Sequence, residues 1–213
     1  MSTAINRETG NPIIDRFLSH CHLRAYAKNH LVIQGGDVPD TLYVIVEGSV
    51  AVIIQDEKGN DIVLAYLNRG DFFGEMGMFY EHATRSAWVR TRTACRIAEI
   101  SYARFRAIAD HSPDILFELA AQMAARLRRT NRKVGDLAFL DVTGRIARTL
   151  LDLCEQPDAM THPDGMQIRV SRQELGRIAG CSREMAGRVL KSLEEQGLLE
   201  VAGKTIVVLG ARD

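Results

Sequence analysis

Four residues able to bind a small polar ligand lie close together in the segment GEMGMFYEHATRSAW, residues 74–88. Gly74 and Glu75 open this segment, and Arg85 and Ser86 lie near its end. A glycine lets the backbone approach a ligand, a carboxylate accepts hydrogen bonds, and a guanidinium pairs with anions. A surface loop with an incidental ion pair would have the same composition, so the surrounding elements must decide between these interpretations.

The segment belongs to a region of short strands separated by glycine turns. Apolar runs such as TLYVIVEGSVAVII and AWVRTRTACRIAEI alternate with the turn signals QGGD, VEGS, EKGN and NRGD. Strands at such regular spacing favour a closed sandwich or barrel of the jelly-roll kind, on which a short helix around residues 12–20 packs. We predict that this β-rich domain spans residues 1–111.

A long helix is predicted after the strands. Apolar residues recur there at steps of three and four, as in the a/d seam of a coiled coil. The alternative is a single helix that covers the sandwich, but basic residues crowd the remaining surface and favour a dimer seam, with Thr130 as its polar member. We predict a dimerisation helix and hinge over residues 112–140, and its seam consists of Leu116, Met123, Leu127, Val134 and Leu137.

A second, small α+β domain is predicted over residues 141–213. Its sequence indicates a helix in DVTGRIARTLLDLCEQ, a loop in PDAMTHPDG, a strand in MQIRV, two further helices and the hairpin LLEVAGKTIVVLG. The two helices lie in SRQELGRIAGCSREMAGRVLKSLEEQ, where Ser171 caps the first, Gly180 turns the chain and Ser182 caps the second. This is the helix-turn-helix pattern.

The second of these helices carries side chains suited to reading DNA bases. Arginine can donate to guanine and glutamate can accept from cytosine, although Glu184 and Arg188 at four-residue spacing could also form a routine salt bridge. Residues 168–192 contain six basic and two acidic side chains, 6 − 2 = +4, in a chain whose Lys+Arg and Asp+Glu counts are both 27. Such a basic island indicates phosphate contacts. The predicted DNA-binding residues are Arg172, Ser182, Arg183, Glu184, Arg188 and Lys191.

Composition and motif spacing argue against several classes of protein. No stretch approaches 18 consecutive apolar residues, and the first residues lack the order of a signal peptide, so we expect a cytoplasmic protein without membrane contact. The four cysteines include no C-x-x-C pair, and the neighbours His20, Cys21 and His22 cannot all face one ion from a regular element. We therefore predict no metal site, and no nucleophile–base pairing indicates an enzyme.

Nearly the whole chain resembles the cyclic-AMP receptor proteins of the Crp–Fnr family, especially their virulence-factor-regulator members. The resemblance is carried by GEMGMFYEHATRSAWVRTRTACRIAEIS, KVGDLAFLDVTGRIARTLLDL, QPDAMTHPDGMQI and GCSREMAGRVLK. It implies an α+β fold with an N-terminal jelly roll that binds cyclic AMP, a long dimerisation helix and a C-terminal winged helix-turn-helix domain. It also implies a homodimeric transcription regulator, mainly an activator, that binds palindromic TGTGA-type DNA sites when cyclic AMP acts as its allosteric ligand.

The resemblance also assigns the ligand contacts. It implies that Gly74 lets the backbone approach cyclic AMP and that Glu75 accepts from the ribose 2′-hydroxyl. Arg85 and Ser86 would bind the cyclic phosphate. Thr130 would bond the adenine, helped by the next residue of the other subunit, which is Asn131 here and serine in the best-known member.

Two contact surfaces for RNA polymerase follow from the same resemblance. The first is the loop over residues 157–165 with Thr161 at its tip, and an ordinary Pro-Asp-Gly turn is the alternative interpretation. The second is a basic surface on the β-rich domain. The residues implied to contact the polymerase are Thr161, His162, His22, Arg24 and Arg104.

Three other interpretations stay open at this point. One is the cyclic-nucleotide module of a kinase or channel, which the helix-turn-helix argues against. Another is a hydrolase that uses Glu75 or the histidines. The third keeps the fold but responds to another nucleotide, or binds DNA without any ligand.

Overall fold

The computed structural model describes residues 9–80 and 84–211. The chain divides into two compact units, and the first unit ends at Arg128. This division falls inside the longest helix, so it does not coincide with either end of the predicted dimerisation segment. The two predicted boundaries between the three segments stay predictions.

The first unit is a β-sandwich with helices on one side. Its elements are α1 (Pro12–Phe17), a 3-10 turn (Leu18–His20), β1 (His22–Tyr26), β2 (Leu31–Ile33), β3 (Thr41–Glu47), β4 (Val50–Gln55), β5 (Asp61–Leu67), β6 (Phe72–Phe73), a 3-10 turn (Met76–Met78), β7 (Trp88–Thr91), β8 (Cys95–Ser101), α2 (Tyr102–Ala109) and the start of α3 (Asp114–Phe139). Two antiparallel sheets have the strand orders β1-β8-β3-β6 and β2-β7-β4-β5. The predicted jelly-roll type of fold is confirmed.

Two hydrophobic clusters hold this unit together. One cluster contains residues of both sheets, including Ile45, Val50 and Ile97, and therefore fills the space between the sheets. The other joins the opposite face of the first sheet to α1, α2 and the beginning of α3. Burial of these apolar faces fixes the strand that leads into the predicted ligand segment.

The long helix α3 has two kinds of surface. Ile115 and Leu119 are buried, and Met123 packs against the core of its own unit, as expected for a helix that covers the sandwich. Met123 therefore differs from the other predicted seam residues, which have 41–61% of their surface exposed and are Leu116, Leu127, Val134 and Leu137. The covering interpretation holds for the first turns of α3, and the exposed stripe keeps the seam interpretation open for the rest.

The second unit is a small α+β fold. Its elements after α3 are α4 (Val142–Cys154), β9 (Met160–His162), β10 (Gly165–Arg169), α5 (Arg172–Ala179), α6 (Arg183–Glu195), β11 (Leu199–Ala202) and β12 (Thr205–Leu209). The strands form one antiparallel sheet in the order β11-β12-β10-β9. The predicted helix boundaries around the turn and the final hairpin are confirmed.

Two strands lie where the sequence analysis predicted none. β1 pairs with β8, and β9 pairs with β10 inside the region predicted as a loop. Both are edge strands. The partner of β1 is distant in the sequence, whereas β9 forms a hairpin with β10 and has only three residues, none of them buried. Neither strand therefore has a strong local sequence signal. The prediction that Thr161 lies at the loop tip is wrong, because Thr161 of β9 pairs with Met166 of β10 and the turn is formed by Pro163 and Asp164.

Candidate nucleotide and DNA sites

The turn after β6 places Gly74 in a conformation and a space that favour glycine. Its φ is +76°, in the left-handed region. A Cβ on this residue would lie 2.8 Å from Nη1 of Arg85 and 3.0 Å from the ring of Tyr43. The glycine therefore lets the Arg85 guanidinium lie directly against the turn.

The Arg85 guanidinium is fixed by uncharged oxygen atoms of the protein. Nη1 donates to the Gly74 carbonyl at 2.8 Å and to the Tyr102 hydroxyl at 3.0 Å, and Nη2 donates to the Thr41 carbonyl at 2.8 Å. The Tyr102 hydroxyl itself donates to the Gly74 carbonyl. Since none of these partners has a full negative charge, the guanidinium retains its charge for an anion.

Two tyrosine rings complete the surroundings of Arg85. The guanidinium carbon lies 5.7 Å from the ring centroid of Tyr43 and 5.9 Å from that of Tyr102, within the range of cation–π attraction. Burial raises the pKa of both phenols above the ordinary value. At neutral pH the two side chains are therefore protonated, and Tyr102 can donate its hydrogen bond.

Glu75 is buried, with 7% of its surface exposed, and pairs with an arginine of α3. Nη1 of Arg126 lies 3.2 Å from Oε1 of Glu75, and Nη2 of Arg126 donates to the Phe72 carbonyl. Arg126 is not among the ligand-binding residues predicted from the sequence. The available signal was indirect: a buried carboxylate needs a partner, and α3 offers several arginines.

The other predicted ligand residues are more exposed. Ser86 is exposed, and its hydroxyl lies 3.6 Å from the sulfur of Met76. Residues 81–83 of the same segment lie outside the described part of the chain. Thr130 and Asn131 are exposed on α3. The structure thus brings Gly74, Glu75 and Arg85 together, and the contacts assigned to the other three stay predictions.

The helix-turn-helix has the local interactions that the sequence predicts. The Ser171 hydroxyl accepts from the amide of Glu174, and the Ser182 hydroxyl accepts from the amide of Met185, both at 3.1 Å. Gly180 is the C-terminal cap of α5, and its φ of +67° reverses the chain. Gly176 is needed for the close approach of the turn, because a Cβ there would lie 2.6 Å from the Cys181 carbonyl.

The predicted DNA-contacting side chains lie on an exposed surface. Neither Glu184 nor Arg188 forms an ion pair within the described residues, so the salt-bridge interpretation of this helix face is not supported. Lys191 lies 3.6 Å from Glu195. The aliphatic part of the Arg172 side chain lies against Gly187 of α6. A Cβ on Gly187 would lie 3.4 Å from Cδ of Arg172. All six side chains predicted to bind DNA are exposed, and they are Arg172, Ser182, Arg183, Glu184, Arg188 and Lys191.

An arginine that the sequence analysis missed fixes the turn of this motif. Nε of Arg145 in α4 donates to the Ala179 carbonyl at 3.0 Å, and Nη2 lies 3.5 Å from the Gly180 carbonyl. Nη1 donates to the Leu140 carbonyl at 3.1 Å, in the connection between α3 and α4. Arg145 therefore satisfies carbonyls at the end of α5 and ties this end to the connection.

The two predicted polymerase surfaces lie on separate elements. Nδ1 of His162 accepts from the Asp164 amide at 3.3 Å beside the β9–β10 turn. His22 and Arg24 are exposed on β1, and Arg24 lies 3.8 Å from Glu99. Arg104 is exposed in the first turn of α2. Contact with a polymerase stays a prediction for all of them.

Comparison with known proteins identifies both units. Residues 23–112 match the cyclic nucleotide-binding domain, and residues 144–212 match the Crp-like helix-turn-helix domain. The chain is 60% identical over 202 residues to the cAMP-activated global transcriptional regulator Vfr of Pseudomonas aeruginosa, with 93% of this chain and 94% of Vfr covered. The chain belongs to the Crp family of transcriptional regulators.

Other members of the Crp family agree with this assignment. The cAMP-activated global transcriptional regulator CRP of Escherichia coli O6:H1 is also 60% identical, with 95% of this chain and 96% of CRP covered. The solved structure of CLP, described as a c-di-GMP responsive global regulator of Xanthomonas campestris, has a TM-score of 0.87 and 50% identity, with 93% of this chain and 99% of CLP covered. The predicted order of a β-rich nucleotide-binding domain, a long helix and a helix-turn-helix domain is confirmed.

Two features are absent from the part of the chain that the structure describes. No helix within residues 9–80 and 84–211 is long and apolar enough to cross a membrane. In the same ranges, no group of three or more histidine, cysteine or acidic side chains is arranged to hold a metal ion.

Proposed function

We propose that the protein is a homodimeric, cyclic-AMP-dependent regulator that binds specific DNA sequences, chiefly as an activator. The observation that carries this proposal is the environment of Arg85. Its guanidinium is fixed by carbonyl and hydroxyl oxygens beside the Gly74 turn, and these partners leave its charge available for a phosphate. The relatives at 60% identity are cAMP-activated transcriptional regulators, and we propose that this chain likewise binds its nucleotide without converting it.

Each ligand contact has a physical reason. Arg85 pairs with the cyclic phosphate and Ser86 adds a hydroxyl donor. Glu75 accepts from the ribose 2′-hydroxyl, and it is buried and oriented by Arg126, so little ordering is needed when the ligand binds. Thr130 and the partner subunit's Asn131 bond the adenine, which makes the ligand part of the dimer seam.

The switch follows from where the adenine binds. A ligand that contacts α3 of both subunits favours one arrangement of the dimer, in which paired α6 helices enter adjacent major grooves. A complete change from 1:99 to 99:1 requires about 10⁴-fold tighter binding to the favoured state. Arg183, Glu184 and Arg188 then read bases of TGTGA-type half-sites, while Arg172, Ser182 and Lys191 bind the DNA backbone.

The remaining proposals concern partners and boundaries. A polymerase contact is proposed for two surfaces, one at the β9–β10 turn and one on β1 and α2. The domain boundaries proposed are residues 1–111, 112–140 and 141–213, and the proposed location is the cytoplasm. The residues proposed to contact the polymerase are Thr161, His162, His22, Arg24 and Arg104.

A different nucleotide signal is the second candidate. CLP, at 50% identity and a TM-score of 0.87, is described as responsive to c-di-GMP. A guanidinium such as that of Arg85 would pair with a phosphate of either ligand. The ligand must therefore be identified by direct comparison.

The test is the binding of a fluorescent TGTGA palindrome, followed by anisotropy during titration with cyclic AMP, cyclic GMP or c-di-GMP. We expect tight binding with cyclic AMP alone, and its loss in Arg85→Leu. Arg90→Leu, which removes an exposed arginine of β7, is the matched control and should respond like the wild type. DNA binding that is indifferent to all three nucleotides would overturn the switch, and a response to c-di-GMP alone would select the second candidate.

A further inference from the structure

The short strand β6 is the edge of its sheet and leads directly into the ligand segment. It consists of Phe72 and Phe73, pairs with β3 on one side, and is followed at once by Gly74 and Glu75. An edge strand presents backbone donors and acceptors on its outer side, and a buried group without a partner destabilises the fold. The groups that form hydrogen bonds with this outer side therefore also fix the position of the ligand segment.

Side chains of α3 form hydrogen bonds with the outer side of β6. The Phe72 amide donates to Oε1 of Gln122 at 2.9 Å, and Nε2 of Gln122 donates to the Gly70 carbonyl at 3.0 Å. The Gln122 carboxamide thus supplies one acceptor and one donor, as the backbone of a neighbouring strand would. Arg126 completes the pattern by donating to the Phe72 carbonyl. Phe72 has no exposed surface, so solvent does not replace these partners.

The Gln122 side chain is itself oriented by its neighbours on α3. Its Nε2 lies 3.2 Å from Oε1 of Glu118, and its Oε1 lies 3.4 Å from Nη2 of Arg126. These residues are four apart and therefore share one face of the helix. Because Arg126 also pairs with Glu75, a continuous set of hydrogen bonds joins this face to the ligand segment.

We propose that Gln122 is a positioning residue for the nucleotide site, which deepens the proposed function and rests on it. Gln122 keeps β6 in register so that Gly74 and Glu75 present their carbonyl and carboxylate at fixed positions. When Gln122 is replaced by an apolar residue, the buried Phe72 amide loses its acceptor and β6 can shift relative to α3. The shift displaces Glu75 most directly, since Glu75 depends on β6 for its backbone and on Arg126 for its carboxylate.

Two variants of the full-length protein test this proposal. Gln122→Met keeps the length of the side chain but has no amide, whereas Gln122→Glu keeps an acceptor for Phe72 and loses the donor to Gly70. Gln196→Met is the matched control, because Gln196 is an exposed glutamine of the second unit that bonds Ser192. The measurements are calorimetric affinity for cyclic AMP and for its 2′-deoxy analogue, and hydrogen exchange of the Phe72 amide without nucleotide.

We expect Gln122→Met to weaken cyclic AMP binding about tenfold, as for the loss of one well-placed hydrogen-bonded contact, and to accelerate Phe72 exchange. Gln122→Glu should have a smaller effect on both, and the control none. The loss should shrink to about threefold for the 2′-deoxy analogue, which lacks the hydroxyl assigned to Glu75. If Gln122 only stabilised the fold, its replacement would weaken the binding of both nucleotides by the same factor.

Equal losses for the two nucleotides, or unchanged affinity and unchanged Phe72 exchange, would overturn the role of Gln122. If Gln122→Met does not fold, the comparison of Gln122→Glu with the wild type decides by the same two measurements. If the wild type itself binds no cyclic AMP, the proposed function fails. The bond between Gln122 and β6 is then still judged by Phe72 exchange, which requires no ligand.

Discussion

At the scale of single residues, the ligand site depends on one backbone conformation and one fixed charge. Gly74 provides a carbonyl that accepts from both Arg85 and Tyr102. The guanidinium therefore lies against the turn instead of projecting into solvent. This arrangement reduces the ordering that a phosphate ligand must induce, and such preorganisation increases affinity.

Replacing Gly74 by alanine should damage the site more than the fold. The new Cβ would lie 2.8 Å from Nη1 of Arg85, and the backbone would keep a positive φ at a cost of about 1–2 kcal/mol. We expect cyclic AMP affinity to fall at least tenfold in calorimetric titration. Gly59→Ala is the control, because its φ is +80° and nothing lies within 4 Å of the added Cβ. An equal loss of affinity in both variants would show that crowding of Arg85 is irrelevant.

At the scale of elements, features set by interactions within a few residues can be predicted from the sequence more readily than features set by distant contacts. The ends of α5 and α6 were predictable because Ser171, Gly180 and Ser182 act on backbone groups within a few residues. β1 was not, since its partner β8 lies at the other end of the β-rich region of the sequence. β9 pairs locally with β10, but its three residues are not buried and so lack an apolar pattern.

The same distinction applies to the candidate site. Gly74, Glu75 and Arg85 were found within one segment and on the strength of a family resemblance. Arg126 bonds a residue 51 positions away, and Gln122 bonds a backbone amide 50 positions away. No local pattern distinguishes these two side chains from others on α3.

The recognition helix α6 gives a prediction at this scale. Alanine at Arg183, Glu184 or Arg188 should each weaken binding to a TGTGA palindrome by about 1–3 kcal/mol, because each side chain is proposed to contact a base. Affinity for random DNA should change less, and both are measured by anisotropy at fixed salt. Ser192→Ala, an exposed change further along α6, is the control. Equal losses on specific and random DNA would assign the residue to backbone contact.

At the scale of the whole molecule, the exposed stripe of α3 requires an explanation. Leu127 and Val134 each have 61% of their surface exposed, and Leu137 has 55%. Burial of these leucine and valine side chains against another apolar surface is favourable by about 25 cal/mol per Å² of apolar surface. A second copy of the same helix covers such a stripe with matching residues, as in a coiled coil.

A charge placed in this stripe should separate the subunits. Leu127→Glu combined with Val134→Glu would bring like charges together in the seam, and burying each would cost several kcal/mol without a partner. We expect monomers in sedimentation analysis at micromolar concentration. Ala121→Glu is the control, since Ala121 is exposed and two positions from both Leu119 and Met123, which places it away from the stripe.

In the monomer, DNA binding and cyclic AMP binding should both weaken, for different reasons. DNA affinity should fall because a palindrome needs two recognition helices held together. Cyclic AMP affinity should fall because the adenine loses the partner subunit's Asn131, whereas Arg85 and Glu75 remain in place within one chain. A double variant that stays dimeric and binds the palindrome normally would show that subunits associate through another surface. A monomer with unchanged cyclic AMP affinity would remove Asn131 from the ligand site.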